Sequence, residues 1–227
     1  MKAGLTELVF ILDKSGSMGG LEKDTIGGYN AMLEKQKAVT GECRITTVLF
    51  DNGYELLHDR IDIQAVSLIT TNEYSVGGST ALLDAIGRTI HKIGNAQKNT
   101  AEDYRAEKVM FVIITDGEEN ASHEFNYEKI KGMIENQQNK HGWEFIFLGA
   151  NIDAIGVANQ FGIAKDRAQN FINDSQGIEL NYCAISDAIT SVRKARKGVK
   201  KLAEGWDDRI KKDYQKRSTT KNPKSKN

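Results

Sequence analysis

The chain has 227 residues, 39% hydrophobic and 7% aromatic, enough to bury the core of one domain of about 200 residues with a tail, or of two small domains. No apolar run approaches the roughly 18 residues that a membrane-spanning helix needs, and no signal-peptide core precedes Glu7 and Asp13, so we expect a cytoplasmic protein. The net charge is zero, yet residues 193–227 hold 14 Lys or Arg and 4 Asp or Glu, a balance of +10 that leaves −10 on residues 1–192.

Six apolar runs in the chain have the length of β-strands, and helical spacing occupies most of the stretches between them. The runs span residues 8–12, 43–50, 54–63, 109–115, 143–148 and 168–172. The helical faces lie within residues 21–33, 82–93, 127–134 and 185–195. Three of the runs, at 8–12, 109–115 and 143–148, are almost continuously apolar, which is typical of central parallel strands covered on both faces.

The second and third runs are joined differently, through Asp51-Asn52-Gly53. Asn-Gly between two strands indicates a hairpin, because both turn positions favour positive φ. We therefore predict an α/β fold with a doubly wound, mostly parallel central sheet of about six strands, one antiparallel edge strand and flanking helices. The two cysteines, Cys43 and Cys183, lie among apolar residues and are interpreted as inert core thiols.

The end of the chain differs from the rest. Apolar periodicity fades from Gly205, so we assign residues 1–204 to the α/β domain and residues 205–227 to a basic, mobile extension. The stretch "GWDDRIKKDYQKR" within it predicts a short helix, with Trp206 and Tyr214 against the body or a partner. The basic charge is either a solvated face or a binding surface for nucleic acid, an anionic membrane, the acidic body or an acidic partner.

Oxygen-bearing side chains cluster at predicted strand ends. Asp13, Ser15 and Ser17 follow the first strand, Asp116 follows the fourth, and Thr80 lies in the glycine-led stretch "GGSTALLDA". In an open α/β sheet, ligands bind beyond the carboxyl ends of the strands. If the first and fourth strands are neighbours, these five side chains form a set of hard oxygen donors, which suits Mg²⁺.

The pattern Asp13-Lys14-Ser15-Gly16-Ser17, then Thr80, then Asp116-Gly117 resembles the metal-ion-dependent adhesion site of the von Willebrand factor type A domain family. The resemblance covers about residues 5–198, and it implies a mostly parallel sheet with one antiparallel edge strand. It further implies that Ser15 and Ser17 bind the metal directly, and that Thr80 does so directly or through water.

By the same resemblance, Asp13 and Asp116 act through waters and by holding the hydroxyls in place. An acidic residue of a partner protein then completes the metal shell. The implied function is a divalent-metal-dependent protein-binding module rather than an enzyme, with Mg²⁺, or else Mn²⁺ or Ca²⁺, at the site.

Structural interpretations compete with this one at each position. Asp13 and Ser15 suit turns and caps, Thr80 could cap the following helix, and Asp116-Gly117 could be a plain turn. Glu118 and Glu119 are either solvated loop charges or a source of negative potential at the metal. Asp153 is interpreted as an N-cap, and the four histidines, which lack zinc-type spacing, as surface or loop residues.

Two other functions stay open. A Mg²⁺-dependent phosphoester hydrolase is one, although Ser15 stands where the second acid of an aspartyl-phosphate phosphatase would be, and neither a phosphate-cradling loop nor a nucleophile elbow is present. A nucleic-acid-binding protein that acts through its basic tail is the other.

Overall fold

The computed structural model describes residues 1–195 and 202–221, in which six strands form one sheet. The strands are β1 (Lys2–Asp13), β2 (Cys43–Phe50), β3 (Tyr54–Asp62), β4 (Ala106–Thr115), β5 (Glu144–Ala150) and β6 (Ala168–Phe171). Their order is β3-β2-β1-β4-β5-β6, and every neighbouring pair is parallel except β2 and β3. The predicted fold class is therefore confirmed, including the antiparallel edge strand.

Helices cover both faces of the sheet. They are α1 (Glu22–Lys37), α2 (Leu82–Asn99), α3 (Tyr127–His141), α4 (Ala154–Gln160), α5 (Ser175–Lys194) and α6 (Asp208–Lys221). Successive residues of β1 pack on opposite faces of the sheet. Phe10 packs in the core under α1 and α5, and Ile11 packs in the core under α2 and α3. None of the described helices is long and apolar enough to cross a membrane.

The hairpin between β2 and β3 is confirmed, but the reason given for it is wrong. Neither Asn52 nor Gly53 has a positive φ. Asp51 closes the loop instead, because its carboxylate accepts a hydrogen bond from the Gly53 amide at 2.6 Å and its own amide donates to the Gly53 carbonyl at 3.3 Å. This is the aspartate-centred turn that short polar side chains favour.

The structure bears on two of the minor predictions, those for the histidines and for the cysteines. His58 is buried in β3 with its Nδ1 atom 3.0 Å from the Thr47 hydroxyl, so its interpretation as a surface or loop residue is wrong. Both cysteines are free thiols; Cys43 is buried and Cys183 is half-buried.

The helix predicted near the C-terminus is present as α6, which packs beside the edge strand β6 and α5. Ile210 is buried in the core, and the Trp206 indole donates to the Asp166 carbonyl at 2.9 Å. Arg217 donates to the Asp174 carboxylate at 2.6 Å. The domain boundary at residue 204 and the mobility of the tail stay predictions, and residues 222–227 lie outside the described residues.

Candidate metal centre

The two aspartates predicted to meet do lie on neighbouring strands. β1 and β4 are parallel, with Leu12 opposite Ile114, so Asp13 and Asp116 emerge at the same edge of the sheet. Both side chains are buried, at 1% and 2% exposure. The strand order thus brings two carboxylates together from positions about a hundred residues apart.

Three of the predicted ligands form a continuous hydrogen-bonded chain. The Ser17 hydroxyl donates to Asp116 Oδ1 at 2.5 Å, and the Ser15 and Ser17 hydroxyl oxygens are 3.0 Å apart. Ser15 is buried and Ser17 is exposed. Solvent therefore reaches the site from the side of Ser17.

Thr80 borders the same space through a different segment. A methyl group placed on Gly117 would lie 3.0 Å from the Thr80 Oγ1 atom and 3.3 Å from the Ser17 Oγ atom, so both hydroxyls flank Gly117. Helix α2 has Ala81 as its N-cap, without a side-chain capping bond, so the interpretation of Thr80 as a helix cap is wrong. All five predicted residues thus lie around one point at the sheet edge.

Glycines bring the Thr80 segment close to the β1 loop. The Gly77 amide donates to the Lys14 carbonyl at 2.9 Å, and the Gly16 amide donates to the Gly78 carbonyl at 3.2 Å. Gly78 has φ +73°, and a Cβ there would lie 2.2 Å from the Asn52 side-chain oxygen. Glycine is required at this position both for its backbone conformation and for the lack of space.

The protein itself occupies both carboxylate oxygens of Asp13. Oδ1 accepts from the Ser15 amide at 2.7 Å, and Oδ2 accepts from the Thr115 hydroxyl at 2.5 Å. The Tyr74 hydroxyl donates to the Asp13 carbonyl at 2.5 Å and fixes the end of β1. Burial raises the pKa of Asp13, while hydrogen bonds from Ser15 and Thr115 lower it.

Asp116 is held in the same way. Besides the bond from Ser17, its Oδ2 atom accepts from the Asn173 side-chain amide at 2.7 Å. Burial raises the pKa of Asp116, and the bonds from Ser17 and Asn173 lower it. Neither Asp13 nor Asp116 forms an ion pair with another described side chain, so two buried carboxylates face one site without a protein cation.

Sequence reasoning missed the residues that hold these groups. They are Tyr74, Thr115, Asn120 and Asn173; the Asn120 side-chain oxygen accepts from the Thr80 amide at 2.9 Å. Asn173 follows β6 at the same edge of the sheet, so the strand-end rule that singled out Asp116 could have identified it. Tyr74 lies in a loop, and no comparable signal marks it.

Two of the acidic residues beside the site, Glu119 and Asp153, have structural roles. Glu119 is half-buried and tied to the backbone, because its carboxylate accepts hydrogen bonds from the amides of Leu83, Ala121 and Ser122 at 2.8–3.0 Å. Asp153 caps α4 through a bond from the Gly156 amide at 3.0 Å, as predicted. Glu118 is exposed.

The donor set fits a hard divalent cation. An octahedral Mg²⁺ with bonds of 2.0–2.1 Å places adjacent ligand oxygens about 2.8–3.0 Å apart, a range compatible with the 3.0 Å between the Ser15 and Ser17 hydroxyls. Within the described part of the chain, no three His, Cys, Asp or Glu side chains come together as a metal-binding group, so a centre of the usual zinc type is not formed there.

Comparison with known proteins supports the fold through structure alone. No protein-family model matches the chain, and a search of curated proteins finds no significant match. A von Willebrand factor type A protein from Catenulispora acidiphila aligns with 82% of this chain and 42% of its own, at 14% identity and a TM-score of 0.56. Proximal thread matrix protein 1 from the mussel byssus aligns with 81% of this chain and 47% of its own, at 14% identity and a TM-score of 0.57.

A second structure of the mussel protein has a zinc-occupied metal-ion-dependent adhesion site motif. It aligns with 83% of this chain and 46% of its own, at 12% identity and a TM-score of 0.56. The chain thus spans less than half the length of these proteins, and identities this low establish only the architecture. The chain has the fold of the von Willebrand factor type A domain.

Proposed function

We propose that the chain is a divalent-metal-dependent protein-binding module that engages an acidic residue of a partner protein. The observation that carries the proposal is the linked cluster of Asp13, Ser15, Ser17 and Asp116, with the Thr80 hydroxyl at its border. The fold shared with a protein whose motif holds zinc supports divalent-metal binding in general. Mg²⁺ is the proposed metal, because every donor is an oxygen.

The roles of the residues follow from which oxygens are already engaged. Both oxygens of Asp13 and both of Asp116 accept hydrogen bonds from the protein, so these carboxylates position hydroxyls and supply negative charge. Ser15, Ser17 and Thr80 would hold the metal through neutral oxygens. A metal with so few anionic ligands retains an electrophilic position, which a carboxylate from outside the protein would occupy.

The proposed role is binding, not catalysis, at a cytoplasmic location, as the composition predicts. The partner contributes a Glu or Asp side chain. Its approach would be from the solvent side, where Ser17 is exposed.

The first test is metal binding. Isothermal titration calorimetry with Mg²⁺ and Mn²⁺ should show one site in the wild type, and the double variant Ser15→Ala, Ser17→Ala should lose it. Ser67→Ala, at an exposed position outside the site, is the matched control. Equal binding by the double variant would refute the ligand assignment.

The second test is partner capture. The protein is used as bait in lysate with Mg²⁺, with EDTA, and as the double variant with Mg²⁺, and retained proteins are identified by mass spectrometry. A partner retained only by the wild type in Mg²⁺, and lost when its candidate acidic residue is changed to the amide, is the expected result. Retention of the same proteins, or of nucleic acid, in all three conditions would contradict metal-bridged recognition.

A further inference from the structure

A cavity of about 540 Å³ lies at the end of the sheet opposite the candidate metal centre. Its walls come from α2, from the start of β4 and from the end of α3 with the segment before β5. β4 runs ten residues from this edge to the other, about 30 Å at 3.3 Å per residue. The cavity is therefore a separate place in the molecule, within the roughly 300–1,000 Å³ typical of ligand sites.

The floor of the cavity is apolar. Ile90, Ala106, Val109 and Trp143 line it, and each is 1–6% exposed. Trp143 is fixed in place by stacking on Phe111, with ring centroids 5.4 Å apart. Such a floor favours a ligand with a flat apolar body.

Space for that body exists because α2 carries a glycine where it faces α3. Gly94 lines the cavity, and the nearest atom to a Cβ placed on it would be the Gln137 side-chain nitrogen at 3.7 Å. That distance is an ordinary contact, so a Cβ atom fits at this position, and a longer side chain would take up space that now belongs to the cavity. Gly94 thus keeps the cavity open.

The mouth of the cavity carries an excess of cations. Lys98, Arg105 and Lys140 line it, and within residues 1–195 and 202–221 none of the three forms an ion pair. The two carboxylates in the lining are engaged: Glu102 lies 3.8 Å from the N-terminal amine, and Glu107 accepts from the Gly4 amide at 2.8 Å.

Arg105 has a donor directed at no protein acceptor. Its Nη2 atom donates to the Thr100 carbonyl at 3.0 Å, which holds the guanidinium at the end of α2. Its Nε atom is buried, and it has no hydrogen-bond partner among the described residues. Because Nε is itself shielded from the cavity, Arg105 acts on a ligand there through the positive charge of its guanidinium.

From the apolar floor and the three cations that form no ion pair in the described part of the chain, we propose that the cavity binds a small organic anion with a flat apolar body, such as an aromatic carboxylate. The apolar body packs on Trp143 and Ile90, and the carboxylate accepts from Arg105 with Lys98 and Lys140 beside it. The proposal does not depend on metal binding at the opposite end of the sheet.

The test uses 4-phenylbutyrate, its uncharged amide 4-phenylbutyramide, and acetate, each titrated into the full chain and followed by ¹H–¹⁵N NMR. The chain has two tryptophans, whose indole signals are assigned with Trp206→Phe. The expected result is a saturable shift of the Trp143 signal alone, with a Kd of about 1 mM for 4-phenylbutyrate. The amide should bind about fivefold more weakly, and acetate should cause no shift.

Variants locate the site. Arg105→Gln and Lys98→Gln should each weaken 4-phenylbutyrate binding about fivefold, and Gly94→Leu should abolish it by filling the cavity. Lys35→Gln, which removes an exposed cation on α1, should leave it unchanged. Unchanged Trp206 signals and melting temperatures show that each variant is folded. Absence of a Trp143 shift, equal affinity for acid and amide, or undiminished binding by Gly94→Leu would overturn the proposal.

Discussion

The substitution Gly117→Ala tests the candidate metal centre most sharply, because it adds one methyl group between two proposed ligands. The new carbon would lie 3.0 Å from the Thr80 Oγ1 atom and 3.3 Å from the Ser17 Oγ atom. Carbon–oxygen contacts this short are repulsive, so the hydroxyls must move by a few tenths of an ångström. Gly117 does not have a positive φ, so alanine adds no backbone strain.

The expected loss of Mg²⁺ affinity follows from how little the metal–oxygen distances can vary. Mg²⁺ demands near-ideal octahedral geometry with bonds of 2.0–2.1 Å, so moving two of its ligand oxygens by a few tenths of an ångström lengthens or bends those bonds. We expect Gly117→Ala to weaken Mg²⁺ binding at least about tenfold, or ~1.4 kcal/mol. Overpacking of this size costs about 1 kcal/mol of folding free energy, which lowers Tm by about 2–4 °C for a domain of this length.

The assay is calorimetric titration of Mg²⁺ together with thermal unfolding in EDTA. Gly132→Ala is the matched control, because a Cβ there has no atom within 4 Å. It lies in α3 and should keep its Mg²⁺ affinity and gain about 0.5–1 kcal/mol of stability. If Gly117→Ala binds Mg²⁺ as tightly as the wild type while Gly132→Ala behaves as expected, the hydroxyls beside Gly117 are not the metal ligands.

Three further predictions concern residues that hold the site and the fold. Asn173→Ala removes the hydrogen bond that orients Asp116 and should weaken Mg²⁺ binding about tenfold in the same titration. Unchanged affinity would show that Asp116 is positioned without the Asn173 side chain. Lys108 is 3% exposed, and its ammonium donates to two carbonyls at the end of α5 at 2.7 and 2.9 Å. Lys108→Met should therefore lower the free energy of unfolding, measured in urea, by about 2–4 kcal/mol. Equal stability of the two proteins would mean that the desolvation of the charge offsets those bonds. Burial lowers the pKa of His58 below 6.5, so below that pH the unfolded chain binds a proton that the folded chain does not, and stability falls as pH falls. His58→Gln should flatten the plot of unfolding free energy against pH in this range. Parallel plots for the two proteins would contradict the prediction.

Features set by neighbouring residues could be predicted from the sequence, whereas features set by distant segments could not. The almost continuous apolar run at residues 8–12 identified β1 as a central strand, and Asn52-Gly53 marked the antiparallel connection, because both signals lie within a few residues of what they specify. The same local signals did not reveal the backbone contacts of Glu119 or the burial of His58, because the surroundings of both residues come from other segments. They also gave the wrong φ at the hairpin, because the Asp51 side chain provides an alternative closure.

By itself, the sequence determined the six strands, most of the helices, the mostly parallel sheet, and the set of four oxygen-bearing side chains at strand ends with Thr80 in a glycine-led loop. Only the tertiary structure decided that β1 and β4 are neighbours, which places Ser17 2.5 Å from Asp116. It also decided that Asn173 holds Asp116 and that a cavity with an apolar floor and a cationic mouth opens at the far edge of the sheet. The physical reason is that periodicity and turn chemistry act over a few residues, whereas strand order and side-chain partners depend on packing between segments far apart in the chain.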